Sequence, residues 1–374
     1  MNTRLLLPNK LEGIGWFIHE QFSRIVADHP EHEFYFLFDR PYDNSFIFSN
    51  NVKPLVVFPP TRHPILQYWW FEIQIPRILK KIQPDLFISP DNYNSLSLPY
   101  KNLVVIHDLN FEHYPKFLPF RDRWFFRHFV PKYARKADNI VTVSQYSKQD
   151  IIHQYQIDES RIDVVYNGAH SLYQPVTKNK QELTRQNISG GNPYFVYVGA
   201  FNPRKNIARL LQAFDLYKKE NTCSTKLVLV GETMYRSKET EQVLHTMSHR
   251  KDVIFTGRKE PEELRYIVGS ALALTYIPLF EGFGIPVVEA FKAETPVIAS
   301  GTTSIPEVAG DAALLTDPMN VPAIAHAMKK ITFDEELRHS LIKKGKERGS
   351  VFSWDIAAKQ FWQSIEKVLN EHEK

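Results

Sequence analysis

The chain has one cysteine, Cys223, in 374 residues. No disulfide can form within it, and a thiolate-rich zinc module would have no ligands. Long apolar runs are missing as well: nothing approaches the roughly 18 residues that a membrane-spanning helix needs, and the start lacks the apolar core of a signal peptide. Both absences predict a cytoplasmic protein. Charge of one sign is scarce, since a net +4 is small for this length and argues against a dedicated nucleic-acid binder. No acidic metal-binding motif is evident, so neither a metal site nor a cofactor is expected. What remains is a composition of 43% hydrophobic and 24% charged residues, that of a soluble globular protein with room for two domains.

Strand-like and helix-like segments alternate along nearly the whole chain. Leu5 to Pro8 reads as a strand, followed by a turn with Gly13 and Gly15 and a helix from Trp16 to about Ala27. Further strand-like runs begin at Phe34, Val52, Leu86, Leu103, Ile140 and Ile162. Such alternation predicts a parallel sheet covered on both faces, with ligands at the carboxyl ends of the strands. His107 and Asp108 stand at one such end, after Leu103-Val104-Val105-Ile106, where a histidine can meet a substrate or simply hold a loop. Gly13-Ile14-Gly15 is half of a dinucleotide fingerprint, but Ile18 occupies the third glycine position. Residues 174–193 have linker composition. Alternation then resumes from Tyr194, predicting a second doubly wound domain.

The richest stretch is Glu281-Gly282-Phe283-Gly284-Ile285-Pro286-Val287-Val288-Glu289. Pro286 suits a helix start, the glycines let a ligand approach the main chain, and free amides at the helix N-terminus attract phosphate. Two carboxylates bracket that turn, Glu289 in the first helical turn by this reading. Being acceptors only, they would hold hydroxyls rather than phosphate. After the strand at Tyr194, Arg204 and Lys205 open another helix, a pairing suited to a diphosphate. Ser304 and Glu307 follow a third strand end and also have the Ser-x-x-Glu spacing of a capping box.

Between His113 and Lys136 seven Lys or Arg residues face one acid, Asp122, and large aromatics are interleaved with them. This suits an anionic membrane surface or an acidic acceptor, and equally a core-packed helix with a basic outer side.

The Glu281 to Glu289 segment is similar to the Glu-x7-Glu motif of retaining glycosyltransferases of family 4. Val198-Gly199 through Asn206, Ala299-Ser300 through Leu315, Val143 to Ser147 and Val165 to Gly168 resemble further segments of that family, in the same order. The resemblance implies an α/β GT-B architecture: two Rossmann-like doubly wound domains facing an interdomain cleft. The boundaries expected are 1–175 for the acceptor-side domain, completed by a C-terminal helix at about 354–374, and 190–353 for the donor domain. It also implies roles. Arg204 and Lys205 would hold a donor diphosphate, Glu289 the ribose hydroxyls and Glu281 the transferred sugar. The backbone of Gly282, Phe283, Gly284 and Ile285 would complete the grip, with Ser304, Glu307 and Asp108 as further substrate contacts. His107 matches a histidine near the sugar, and Gly15 a glycine near the phosphates.

The chain departs from the family where Ala200 follows Gly199, a position often held by arginine, and where Glu12 and Trp16 flank the first turn. The expected reaction is metal-independent, retaining hexosyl transfer to a saccharide or lipid-linked saccharide in cell-surface polysaccharide synthesis, at the inner face of the cytoplasmic membrane. GDP-mannose is the first donor to consider and UDP-sugars the second. Competing readings are a nucleotide-sugar epimerase, a dinucleotide oxidoreductase and a noncatalytic nucleotide-sugar-binding protein.

Overall fold

Strands apolar on both faces can be satisfied only between two layers of helices, and the structure, a computed structural model that describes residues 1–8, 11–232 and 238–370, places them there. The chain divides into two compact units. One comprises Met1–Asn167 together with the chain from Ser353 onward, and the other is Gly168–Phe352.

The first unit contains β1 (Phe34–Phe38), β2 (Val52–Val56), β3 (Phe87–Ser89), β4 (Asn102–Val105), β5 (Asn139–Thr142) and β6 (Ile162–Val164), all paired in parallel. The expected first strand at Leu5 to Pro8 is not one. Its place is taken by residues 1–3: Thr3 N–H donates to Leu37 O (3.0 Å), Leu37 N–H to Met1 O (2.9 Å) and Asn2 N–H to Ile88 O (2.9 Å). These bonds stitch β1 to β3. Asn2 Nδ2 donates to Asp91 Oδ1 (2.8 Å) and Arg4 Nε to Asp91 Oδ2 (2.6 Å), so the ladder is fixed before the apolar run begins. The helix that follows starts at Gly13, not Trp16, and puts Gly15 inside its first turn.

The unit is completed by the helix Trp354–Asn370. Phe361 is fully buried, its ring 5.4 Å from that of Phe22 and 6.1 Å from that of Phe17. Burying one such side chain contributes about 1.5–3 kcal/mol. Lys101 Nζ caps the helix end at Val368 O (2.9 Å) and Leu369 O (2.8 Å), where the dipole favours a cation.

The second unit has β7 (Tyr194–Val198), β8 (Lys226–Val230), β9 (Val253–Gly257), β10 (Ala273–Tyr276), β11 (Val297–Ser300) and β12 (Leu314–Thr316). They form one sheet in the order β9-β8-β7-β10-β11-β12, the doubly wound order in which direction reverses between the first and fourth strands. The segment expected to be a linker is largely a helix, Lys178–Ser189, ended by Gly190 in the left-handed conformation. Lys, Gln and Glu are good helix formers. Gln181 and Arg185 anchor it by donating to Gly269 O (3.0 Å) and Ser270 O (2.8 Å).

Candidate functional site

A reversal of strand order opens a crevice at the carboxyl ends of the two strands involved. Here those strands are β7 and β10, and their exits carry Arg204-Lys205 and Glu281. After β7, Gly199 takes φ +144°, and the turn Pro203–Lys205 is capped by Asn202, whose side chain accepts from Lys205 N–H (3.2 Å). Asn206, buried with φ +62°, then ties this turn to the β10 exit by donating to Ile277 O (3.1 Å) and to the β12 exit by donating to Pro318 O (2.7 Å). Leu279 N–H returns a bond to Arg204 O (2.8 Å). The two loops are one piece.

Their side chains meet at Glu281. Arg204 Nη1 donates to Glu281 Oε1 (2.8 Å) and to Phe280 O (2.6 Å). Lys205 Nζ donates to the same Oε1 and to Tyr276 Oη (2.7 Å). Burial pushes the Glu281 carboxyl up, but Arg204 and Lys205 beside it more than offset this and hold it below its usual value. It is therefore an anion with two cations upon it. The Tyr276 phenol is held well above its ordinary value by burial first and Glu281 second, so it stays a neutral hydroxyl.

The loop after Glu281 is fixed from β11. Glu281 N–H donates to Thr303 Oγ1 (3.2 Å), and Ser304 Oγ donates to Glu281 O (2.9 Å) and Phe283 O (3.2 Å). The capping box suggested by Ser304 and Glu307 does not form, because that hydroxyl is turned towards the loop; Ser304 makes no side-chain cap on the helix Ile305–Ala309. Gly284 takes φ +102° at the N-terminus of the helix Ile285–Lys292, and a Cβ there would lie 2.5 Å from Ile305 Cδ1. Gly282 and Phe283 are buried and Ile285 half-buried. Glu289 stands in the second turn of this helix rather than the first. It is half-buried beside the Tyr173 phenol, and burial pushes its carboxyl up to about 7 against the lowering influence of that phenol.

The other expected residues lie in the first unit. His107, half-buried after β4, places Nε2 2.9 Å from Pro90 O and packs edge-on against Phe17 at 4.9 Å. A carbonyl only accepts, so Nε2 carries the hydrogen and the neutral ring leaves Nδ1 as an acceptor. Burial lowers its pKa. Asp108 Oδ1 accepts from Asn110 N–H (2.9 Å). A Cβ on Gly15 would meet Leu5 O at 2.8 Å, so close packing alone calls for glycine there.

Tyr173 and Tyr276 were not picked out from sequence, whereas Thr303 stands at a strand end that the sequence marks. Tyr276 offered a faint signal as a tyrosine closing an apolar strand. Tyr173 offered none, since its contact depends on where the chain enters the second unit. Among the described residues no group of three or more His, Cys, Asp or Glu is placed to hold a metal ion.

Residues 179–348 match the family described as glycosyl transferases group 1, and residues 13–170 match glycosyltransferase family 4. The chain is 28% identical over 312 residues to O-antigen chain mannosyltransferase B of Escherichia coli, covering 80% of this chain and 76% of that protein. It is 29% identical over 240 residues to O-antigen chain mannosyltransferase RfbU of Salmonella typhimurium, covering 64% and 63% respectively. In fold it is similar to sucrose-phosphate synthase from Thermosynechococcus elongatus, with a TM-score of 0.77 over 96% of this chain and 94% of that one, at 19% identity.

Proposed function

Because the chain belongs to the glycosyltransferases of family 4 and group 1, with their GT-B fold, we propose that it is a retaining, metal-independent hexosyltransferase of polysaccharide synthesis. Its donor is a nucleotide sugar, GDP-mannose before UDP-sugars, and its acceptor a saccharide or lipid-linked saccharide. The mannosyltransferases among its relatives support mannose as the first sugar to test. The reading rests on one observation: Arg204, Lys205 and Glu281 converge at the exits of β7 and β10.

In this reading the donor diphosphate meets Arg204 and Lys205, already held in place by a carboxylate. Preorganised cations stabilise the charge that develops on the leaving phosphate without having to reorganise during the reaction. Glu281 keeps a second oxygen for a hydroxyl of the transferred sugar, and Glu289 serves the ribose. The bond from the sugar's anomeric carbon to phosphate breaks as the bond to the acceptor oxygen forms on the same face. The departing phosphate takes the acceptor's proton. Glu281 therefore orients and is not a covalent nucleophile. The roles of His107 near the sugar, Gly15 near the phosphates, and Asp108, Ser304 and Glu307 as further contacts belong to the same proposal, as does action at the cytoplasmic face of the membrane through residues 120–136.

A thermal-shift screen of nucleotide sugars tests it. A true donor at 100 times its Kd stabilises the fold by about 2.7 kcal/mol, and hexose must then appear on an acceptor with its anomeric configuration retained. Isomerisation of the sugar without transfer would sink the proposal.

A further inference from the structure

Among the described residues, the exposed Phe, Tyr and Trp side chains are not scattered: apart from Phe333, all lie between Phe58 and Trp124 in the first unit. Phe58 and Phe117 lie on the connecting chain, and the other four, Tyr68, Trp69, Phe120 and Trp124, come from two helices. The first begins as Pro64–Trp69 and continues through a π-helical turn, Trp70–Gln74, into Ile75–Ile82. Its middle is anchored, with Trp70 and Phe71 fully buried and Trp70 Nε1 donating to Val57 O (2.6 Å). Its start is not, and Ile65 stands 71% exposed with Tyr68 and Trp69 at 45% each. The second helix, Phe120–Lys136, buries Phe125, Val130, Tyr133 and Ala134, yet leaves Phe120 71% and Trp124 56% exposed.

The two helices share one surface. The Tyr68 ring lies 5.5 Å from that of Phe129, which lies 6.1 Å from that of Trp124. Around this apolar ridge are exposed cations, Arg121, Arg127, Lys132, Arg135 and Lys136. Arg123 sets its guanidinium over the Phe120 ring (5.3 Å), and together with Arg127 and Arg135 it lines a depression of about 510 Å³. Glu112 is the one carboxylate in that lining, and it is paired with Arg127 (2.9 Å).

From this juxtaposition we propose that residues 65–69 and 120–136 form one composite surface that docks on a bilayer carrying anionic lipid. It deepens the acceptor reading above, by which a lipid-linked acceptor would be met at a membrane. The chemistry favours a bilayer over a soluble saccharide. Ile65 and Phe120 protrude as bare hydrocarbon, which gains by entering acyl chains and gains little from hydroxyls. Trp and Tyr rings favour the headgroup level, and the flanking cations are complementary to lipid phosphate.

Co-sedimentation with phosphatidylcholine vesicles, with and without phosphatidylglycerol, tests the surface, using the full chain. The wild type is expected on the anionic vesicles only. Each of Arg121→Gln and Arg135→Gln should lower partitioning roughly five-fold at physiological salt. Ile65→Ser with Trp124→Ala should lower it while leaving the salt dependence unchanged. All these variants must keep the wild-type Tm and the wild-type thermal shift with nucleotide sugar, since the substituted side chains are exposed and outside the donor site. Lipids brominated on the acyl chain should quench Trp69 and Trp124, and Phe substituted at both positions should abolish that quenching.

Three results would each overturn the proposal. One is a wild type that ignores phosphatidylglycerol. Another is binding to dextran sulfate but not to vesicles, which would mark an anionic saccharide site. The third is concentration-dependent dimerisation lost in Ile65→Ser without vesicle binding, which would mark a second copy of the chain. Vesicle binding together with no response to any nucleotide sugar would defeat the donor reading and leave this surface standing.

Discussion

The Tyr173 phenol stands beside the Glu289 carboxyl and draws its pKa down, coupling the first residues of the second unit to the helix that starts at Ile285. Burial puts that carboxyl at about 7 against an ordinary 4.5. A protonated Glu289 presents a donor where it had an acceptor, and so grips ribose hydroxyls less well. Nucleotide affinity, measured by calorimetry, is therefore expected to rise as pH increases through about 7, and Glu289→Gln should flatten that rise. A wild-type affinity independent of pH would count against Glu289 as the ribose ligand.

The same shift bears on stability with a definite sign. Between 4.5 and about 7 the folded state holds a proton that the unfolded chain has released. Stability must then fall as pH rises across this window, because deprotonation is opposed only in the fold. Glu289→Gln should remove this component of the slope in denaturant titrations. Tyr173→Phe should push the carboxyl higher still and steepen it near neutrality.

Lys205→Ala should weaken nucleotide-sugar binding by roughly 10- to 100-fold, the worth of a charge-assisted hydrogen bond. Glu281→Gln should do something different. It releases both cations from their shared anion, so a nucleoside diphosphate should bind as tightly as to the wild type or more so. Turnover should nevertheless fall by about 100-fold or more, as loss of one preorganised polar group does. Measuring Kd and kcat separately distinguishes the two, and a Glu281→Gln protein that loses nucleotide affinity would contradict this division of roles.

Gly284→Ala is expected to destabilise the fold by about 1–2 kcal/mol for its left-handed backbone alone. The clash with Ile305 Cδ1 adds to that, though a side-chain tip can move aside. Combining it with Ile305→Ala should thus leave the backbone penalty intact in Tm.

For His107, burial keeps the ring neutral below its ordinary 6.5. The pH–rate profile should accordingly show no histidine limb near that value. His107→Ala should slow turnover while leaving nucleotide affinity nearly unchanged.

Much of the architecture was legible because apolar strands such as Leu103 to Ile106 admit no other environment. The convergence of Arg204 and Lys205 with Glu281 could be anticipated from strand-end positions, but not their common oxygen. Three of the misreadings share one physical reason. Leu5 to Pro8 has a strand's composition, yet backbone bonds at residues 1–3 and the Arg4–Asp91 pair claim the sheet position first. Residues 178–189 are polar like a linker, but their helix is held by carbonyls at Gly269 and Ser270, far off in sequence. Ser304 has cap spacing, while its hydroxyl answers to the carbonyls of Glu281 and Phe283. In each case a long-range partner outweighed a local preference.

The helix Trp354–Asn370 has a consequence for synthesis on the ribosome. Arg24 pairs with Asp355 across 331 positions (2.6 Å), and Phe22 packs on Phe361. Until the last stretch has left the exit tunnel, the first half of the polypeptide keeps an apolar flank open. The intervening unit, whose sheet draws only on residues 194–316, can close earlier. The order of completion is then the reverse of the usual N-terminal-first sequence. A nascent chain stalled before Trp354 should bind chaperones through the flank that carries Phe17 and Phe22.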